Sequence, residues 1–169
     1  MARRATYSPG WQEGLPPGLN FATYNRAEVS MANDNLTLIQ GIYSAYAQGN
    51  SQFILDRVTD DVDWINEGPN SIPYAGTFKG RKDVQRFFEA LASSADNGQV
   101  ISEDWITQGD KVVSTGRFTA TVKASGRRID VPIAHVFTLR DGKIARWVGY
   151  SDTARVAEAY ATSGRAASS

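Results

Sequence analysis

"AHVFTLRDGKIARWVGYSD", residues 134–152, decides how the chain folds. Asp141-Gly142 lies between two runs of alternating apolar and polar residues, the pattern of a β-hairpin closed by a two-residue turn. Counting outward from the turn, Arg140 faces Lys143 and Leu139 faces Ile144. An uninterrupted register then sets His135 opposite Val148 and Asp152 opposite Val131. One face carries Val131, Ile133, His135, Phe137 and Leu139, with Ile144, Arg146, Val148, Tyr150 and Asp152. The other carries Asp130, Pro132, Ala134, Val136 and Thr138, with Lys143, Ala145, Trp147, Gly149 and Ser151. The first face is the more apolar and is expected to meet the helices, so His135, Tyr150 and Asp152 are its polar intrusions. His135 and Asp152 would stand about 13 Å apart along the strands. A bulge near Gly149 would change the parity beyond it.

Upstream of this hairpin the period stays at two as far back as Gln99. The runs "QVISEDWITQ", "DKVVSTGRFTATVKA", "RRIDVPIAHVFTLR" and "KIARWVGYSD" are four strands joined by short turns. Before them the period is helical. In "NDNLTLIQGIYSAYAQGN" the residues Leu36, Ile39, Tyr43 and Tyr46 recur on one face, widened by Leu38 and Ile42. Asn33 or Asp34 suits its start and Gly49 its stop. A short helix from Ser51 leads into the strand "DDVDWINEG", where Val62, Trp64 and Asn66 share a side. "PNSIPYAGTFKG" reads as a loop, "RKDVQRFFEALASSA" as a helix burying Val84, Phe87, Phe88 and Leu91, and "TARVAEAY" as a closing helix. Helices first and an antiparallel meander second define an α+β fold, its helices gathered on one face of a curved sheet.

The first thirty residues, interrupted by Pro9, Gly10, Gly14, Pro16, Pro17 and Gly18, read as an arm. Residues 31–162 form a single domain and 163–169 a tail. Tyr7, Trp11, Phe21 and Tyr24 give the arm more aromatic surface than a disordered tail carries, so it is expected to lie along the domain or a neighbouring subunit.

Composition narrows the function. Eighteen basic and eighteen acidic residues balance, which gives no electrostatic reason to expect nucleic acid or an anionic membrane. With no cysteine and a single histidine, thiol chemistry and multi-histidine metal centres are outside the repertoire. No run approaches the roughly 20 apolar residues of a membrane span and the start lacks an apolar signal core, so a cytoplasmic location is expected.

An inward carboxylate is costly to bury without a partner, a ligand or a raised pKa. Asp152 reads equally well as the N-cap of the last helix, and His135 as a satisfied interior histidine. Asn66, an inward amide at a strand end, demands hydrogen-bond partners.

The order of elements and the patterns "YAQGN", "DDVDWINEGP", "PYAGTFKGRKDVQRFFEAL" and "HVFTLRDGKIARW" resemble the nuclear-transport-factor-like superfamily over about residues 33–160. Within it the chain looks closest to SnoaL-like and ketosteroid-isomerase-related proteins. That resemblance implies a cone, in which a strongly bent antiparallel sheet (a cystatin-like barrel) wraps the long helix and leaves a deep pocket at the open end. A ketosteroid isomerase, a worked case of carboxylate tuning, needs an aspartate base and an oxyanion hole of tyrosine and protonated aspartate. Here those positions fall on Asn66, on or beside Ile42 with Tyr43 as nearest substitute, and on Ala134 or His135. Limonene-epoxide-hydrolase-type enzymes resemble the chain at Trp64 with Asn66 and at Tyr150 with Asp152, but their central-strand arginine and aspartate fall on Arg117 and Thr119.

SnoaL-like polyketide cyclases match better. The resemblance implies Asp152 as the acid/base of an intramolecular aldol closure, with His135 and Asn66 holding carbonyl oxygens. Trp64, Tyr43, Tyr46, Phe137, Tyr150 and Arg117 would contact the substrate. No metal and no cofactor is implied. The expected function is therefore acid/base chemistry on an apolar or polycyclic molecule. The alternatives are a non-catalytic carrier of a small hydrophobic ligand, with the same cavity but Asp152 turned outward as a cap, or an epoxide-hydrolase-like enzyme. A third reading is an assembly module whose bulky side chains fill the cone. A homodimer is expected through the outer sheet face, where Ala134, Val136, Ala145 and Trp147 were placed by the register above.

Overall fold

The first helix begins earlier than its apolar stripe suggests. A computed structural model describes residues 21–161, with side chains from 26 onward. In it α1 runs from Phe21 to Ala47, so Asn33 and Asp34 lie inside the helix and do not start it. Helix formers such as Ala27, Glu28, Met31 and Ala32 follow Gly18 with no further proline or glycine until Gly41, and nothing stops the helix from extending upstream. Residues 1–20 of the expected arm and the tail fall outside the described residues. Ile39, Ile42 and Ala45 bury the face of α1 that the sequence marks, with Leu36, Leu38, Tyr43 and Tyr46 packed beside them. Each large apolar side chain so buried contributes about 1.5–3 kcal/mol.

Gly49, at φ +69°, ends that segment. Asn50 then accepts a hydrogen bond from the Phe53 backbone N–H at 3.1 Å and caps the short helix α2 (Ser51–Leu55). Next come β1 (Val58–Asn66), β2 (Gly76–Lys79), α3 (Gly80–Ser94), β3 (Ala95–Gln108), β4 (Lys111–Val122), β5 (Arg128–Arg140), β6 (Lys143–Ser151) and α4 (Thr153–Tyr160). The stretch Gly76–Lys79, read above as loop, is an edge strand paired antiparallel with β1. Four residues are too few for a period of two to stand out.

The six strands form one curved, unclosed sheet in the order β2-β1-β6-β5-β4-β3. All neighbours are antiparallel except β1 and β6, whose parallel pairing joins the chain's first and last strands as the second and third in the sheet. Bulges interrupt β1 between Val58 and Asp63, and β3 between Asp96 and Gln99 and again between Ser102 and Asp104. Each adds local bend and twist, which suits a sheet that must wrap a helix. The concave face receives α1 against β3 and β4, α3 against β1 and β2, and α4 against β5. Among the described residues no helix is long and apolar enough to cross a membrane.

The decisive hairpin closes as expected: Asp141 (φ 53°) and Gly142 (φ 70°) both take the left-handed conformation that its two-residue turn requires. The register beyond it differs. Leu139 pairs Ile144, but Thr138 pairs Arg146, so Ala145 is an extra residue on β6. From there His135 faces Gly149, not Val148, and Ile133 faces Ser151. Side-chain parity on β6 is therefore inverted after Ala145. Trp147, Gly149 and Ser151 join His135 on the concave face, while Arg146, Val148 and Tyr150 turn to the convex one.

Candidate ligand-binding site

The concave face encloses a cavity of about 90 Å³. Its walls are mainly aromatic: Trp64 and Trp147 stack with centroids 4.4 Å apart, and Phe87 packs against both at 5.8 and 5.7 Å. Tyr43, Tyr46, Phe118 and Phe137 line the opposite side. These rings come from α1, β1, α3, β4, β5 and β6, so the cavity depends on the assembled domain.

Polar groups enter the wall at a few points. His135, from β5, meets the α1 side chain Tyr43, whose hydroxyl lies 2.7 Å from Nδ1. Burial drives the His135 pKa down to about 4, so the imidazole is neutral near pH 7. Burial also pushes the Tyr43 phenol far above its ordinary range, against a smaller opposing effect from the Ser114 hydroxyl. The pair is therefore uncharged. The Nε2 atom of His135 has no hydrogen-bond partner among the described residues, and the ring is part of the cavity wall. It presents a donor when Tyr43 donates to Nδ1, and an acceptor when Nδ1 donates to Tyr43.

Asn66 ends β1 beside Gly149. A Cβ on Gly149 would fall 2.5 Å from the Trp147 ring and 2.9 Å from the Asn66 Oδ1, so glycine is what lets both side chains occupy this wall. Glu67 follows at the cavity mouth, its backbone N–H donating to the Gly149 carbonyl at 3.1 Å. On the α4 side Tyr74 packs edge-on to Phe87 and to Tyr160. Burial, with the Tyr160 hydroxyl beside it, holds the Tyr74 phenol well above its usual range. The Trp64 Nε1 and Tyr74 hydroxyl are sealed without hydrogen-bond partners.

Residues 39–147, more than half of the chain, match the SnoaL-like domain. The chain belongs to the SnoaL-like domain family. Its fold is similar to that of a solved NTF2-like protein of unknown function from Burkholderia pseudomallei K96243, at 21% identity and a TM-score of 0.70, covering 76% of this chain and 98% of that one. It is also similar to a putative SnoaL-like polyketide cyclase from Jannaschia sp. CCS1, at 20% identity and a TM-score of 0.67, covering 76% and 92%. A third similar structure is TerC co-crystallized with polyporic acid, at 23% identity and a TM-score of 0.69, covering 75% and 98%. A search of curated proteins found no match.

This SnoaL-like domain brings together Asn66, His135, Trp64, Tyr43, Tyr46 and Phe137 from the candidate residues, and Tyr150 at the rim with its side chain about half exposed. It does not bring Asp152 into the wall. The Asp152 carboxylate accepts from the Arg155 backbone N–H at 3.2 Å and pairs with the Arg155 Nε at 3.2 Å, capping α4. The inverted parity of β6 is the reason: the count that aimed Asp152 inward loses one residue at Ala145. Arg117 is also elsewhere, on the convex face, where its Nε donates to Asp130 at 2.9 Å. Glu67, Ser151 and Tyr74 line the cavity without having been read as site residues, and Trp147, expected on the outer face, lines it too. Glu67 was readable in principle as the neighbour of Asn66; Trp147 was not, because nothing in "KIARW" marks the bulge.

Proposed function

We propose that this SnoaL-like domain binds a small, largely apolar, uncharged molecule in its cavity. The observation that carries the reading is the kind of polar group in the wall. Asn66, Tyr43 and His135 are neutral hydrogen-bonding groups, the lining carboxylate Glu67 is exposed at the edge of the cavity, and the carboxylate expected to move protons, Asp152, is engaged in capping α4. A cavity of aromatic walls with a few placed polar groups fixes the orientation of a neutral ligand and disfavours an ion. The volume of about 90 Å³ suits a single aromatic ring better than a polycycle. Titration with anisole, followed by tryptophan fluorescence, tests this. Saturable one-to-one binding that is lost in Val100→Phe, which fills the cavity, supports the reading. No saturable signal, or an unchanged one in that variant, contradicts it.

A second reading, acid/base catalysis on a carbonyl compound, is favoured by the Tyr43–His135 pair in the cavity wall, whose Nε2 has no partner among the described residues. The similarity to a protein described as a putative polyketide cyclase points the same way. His135 and Asn66 would then hold oxygens, and the cavity's carboxylate is Glu67. Turnover sensitive to Glu67→Gln but not to Asp152→Asn would select it.

A homodimer through the outer sheet face is part of the proposal. Ile65, Val148, Val136, Val113 and Ile106 pair successively across five strands on that face, with Val148 itself buried and Ile65, Val136 and Val113 half-buried. Ile106 is 60% exposed, and Ala134 and Tyr150 extend the patch. A second copy of the same stripe would cover it about a two-fold axis. Trp147, placed on this face by the uninterrupted register, belongs to the cavity.

A further inference from the structure

A second hollow, of about 510 Å³, lies between α2, α3 and the start of β3. Its polar lining is Ser51, Gln52, Gln85, Glu89, Asp96 and Asn97. Tyr46, Ile54, Phe88 and Leu91 line both this groove and the inner cavity, so one layer of side chains separates the two. We propose that cavity and groove are two halves of one site, and that the ligand has two parts: an aromatic ring for the cavity and an uncharged, hydroxyl-bearing portion for the groove. This rests on the cavity reading above and adds the ligand's class.

Size is the first argument. Small-molecule sites commonly enclose about 300–1,000 Å³, which the cavity alone does not reach and the groove does. The chemistry of the groove is the second. Gln85 donates to Glu89 at 2.8 Å and Lys123 pairs with Asp96 at 3.4 Å, which leaves carboxylate lone pairs free to accept from ligand hydroxyls. The same two carboxylates repel an anion. The partition is the third. A bulge between Asp96 and Gln99 places Gly98 against Tyr46, where a Cβ would fall 2.8 Å from the tyrosine hydroxyl. Glycine there makes room for the Tyr46 hydroxyl within the layer that both hollows share.

The test compares three probes: anisole, phenyl β-glucoside and phenyl β-glucuronide. The proposal expects the glucoside to bind about tenfold more tightly than anisole, the worth of one or two net hydrogen bonds, and the glucuronide more weakly than the glucoside. Ala92→Trp narrows the groove from an exposed position on α3. It should abolish the glucoside's advantage and leave anisole affinity unchanged, which also reports an intact fold. Glucoside binding no tighter than anisole in the wild type, or an advantage that survives Ala92→Trp, overturns the two-part site while the cavity reading stands. Failure of all three probes overturns both.

Discussion

Trp147 stacks on Trp64 at 4.4 Å and 25°, and it reaches that position because Ala145 is left out of the ladder between β5 and β6. The contact joins the parallel strands β1 and β6, and both rings are nearly fully buried. Trp147→Ala should therefore cost about 3–5 kcal/mol of stability. Chemical denaturation measures the loss, and the near-ultraviolet circular dichroism of the stacked pair should collapse with it. A loss under about 1 kcal/mol would mean that the ring belongs to the exposed face.

Asp152 separates a capping role from a catalytic one. Asp152→Ala should lower stability by about 1 kcal/mol, and Asp152→Asn, which keeps a capping oxygen, by much less. Neither change should alter affinity for a cavity probe. Thermal unfolding and titration of the two variants check both halves. Weakened binding in Asp152→Asn would return the carboxylate to the site.

Stability should also depend on pH through His135. Its pKa falls from an ordinary 6.5 to about 4 in the folded chain because burial penalises the cation. The unfolded chain thus binds the extra proton between those values, and folding stability falls as pH drops from 6.5 toward 4. The full shift corresponds to roughly 3 kcal/mol, reduced where the ring edge meets the cavity. Denaturation midpoints measured from pH 7 to pH 5 should decline less in His135→Phe than in the wild type. Equal declines would contradict a buried neutral imidazole.

How much of this was legible in the sequence follows from the local physics. The stripe on α1, the Asp-Gly turn and the closing helix are each set by residues within a turn or two of one another, and all three stand where the sequence places them. His135, Phe137 and Trp64 line the concave face as expected: the first two lie on the unbulged strand of the hairpin, and Trp64 follows from the alternation within its own short strand. The inward assignments of Asp152 and Tyr150 and the outward one of Trp147 depended on carrying a register past Ala145. A single extra residue there is favoured by the packing of Trp147 against Trp64 and Phe87, partners far away in the chain. β2 was invisible for a related reason: its pairing is decided by β1, not by its own four residues.

The apolar row across the outer sheet predicts that association can be broken by one charge. Val136 sits at its centre, between Val148 and Val113. Val136→Asp should shift the chain to a monomer in sedimentation experiments without loss of helical or sheet signal, since a buried unpaired carboxylate would destabilise the interface by several kcal/mol. A wild type that is already monomeric would remove the dimer from the account.

The central claim, that a neutral imidazole forms part of a ligand-binding wall, can be read from one spectrum. The chain has a single histidine, so the side-chain nitrogen resonances of His135 need no assignment. They should show an uncharged ring at pH 6 and move on addition of anisole. A ring that is half protonated near pH 6.5 and indifferent to the probe would contradict it.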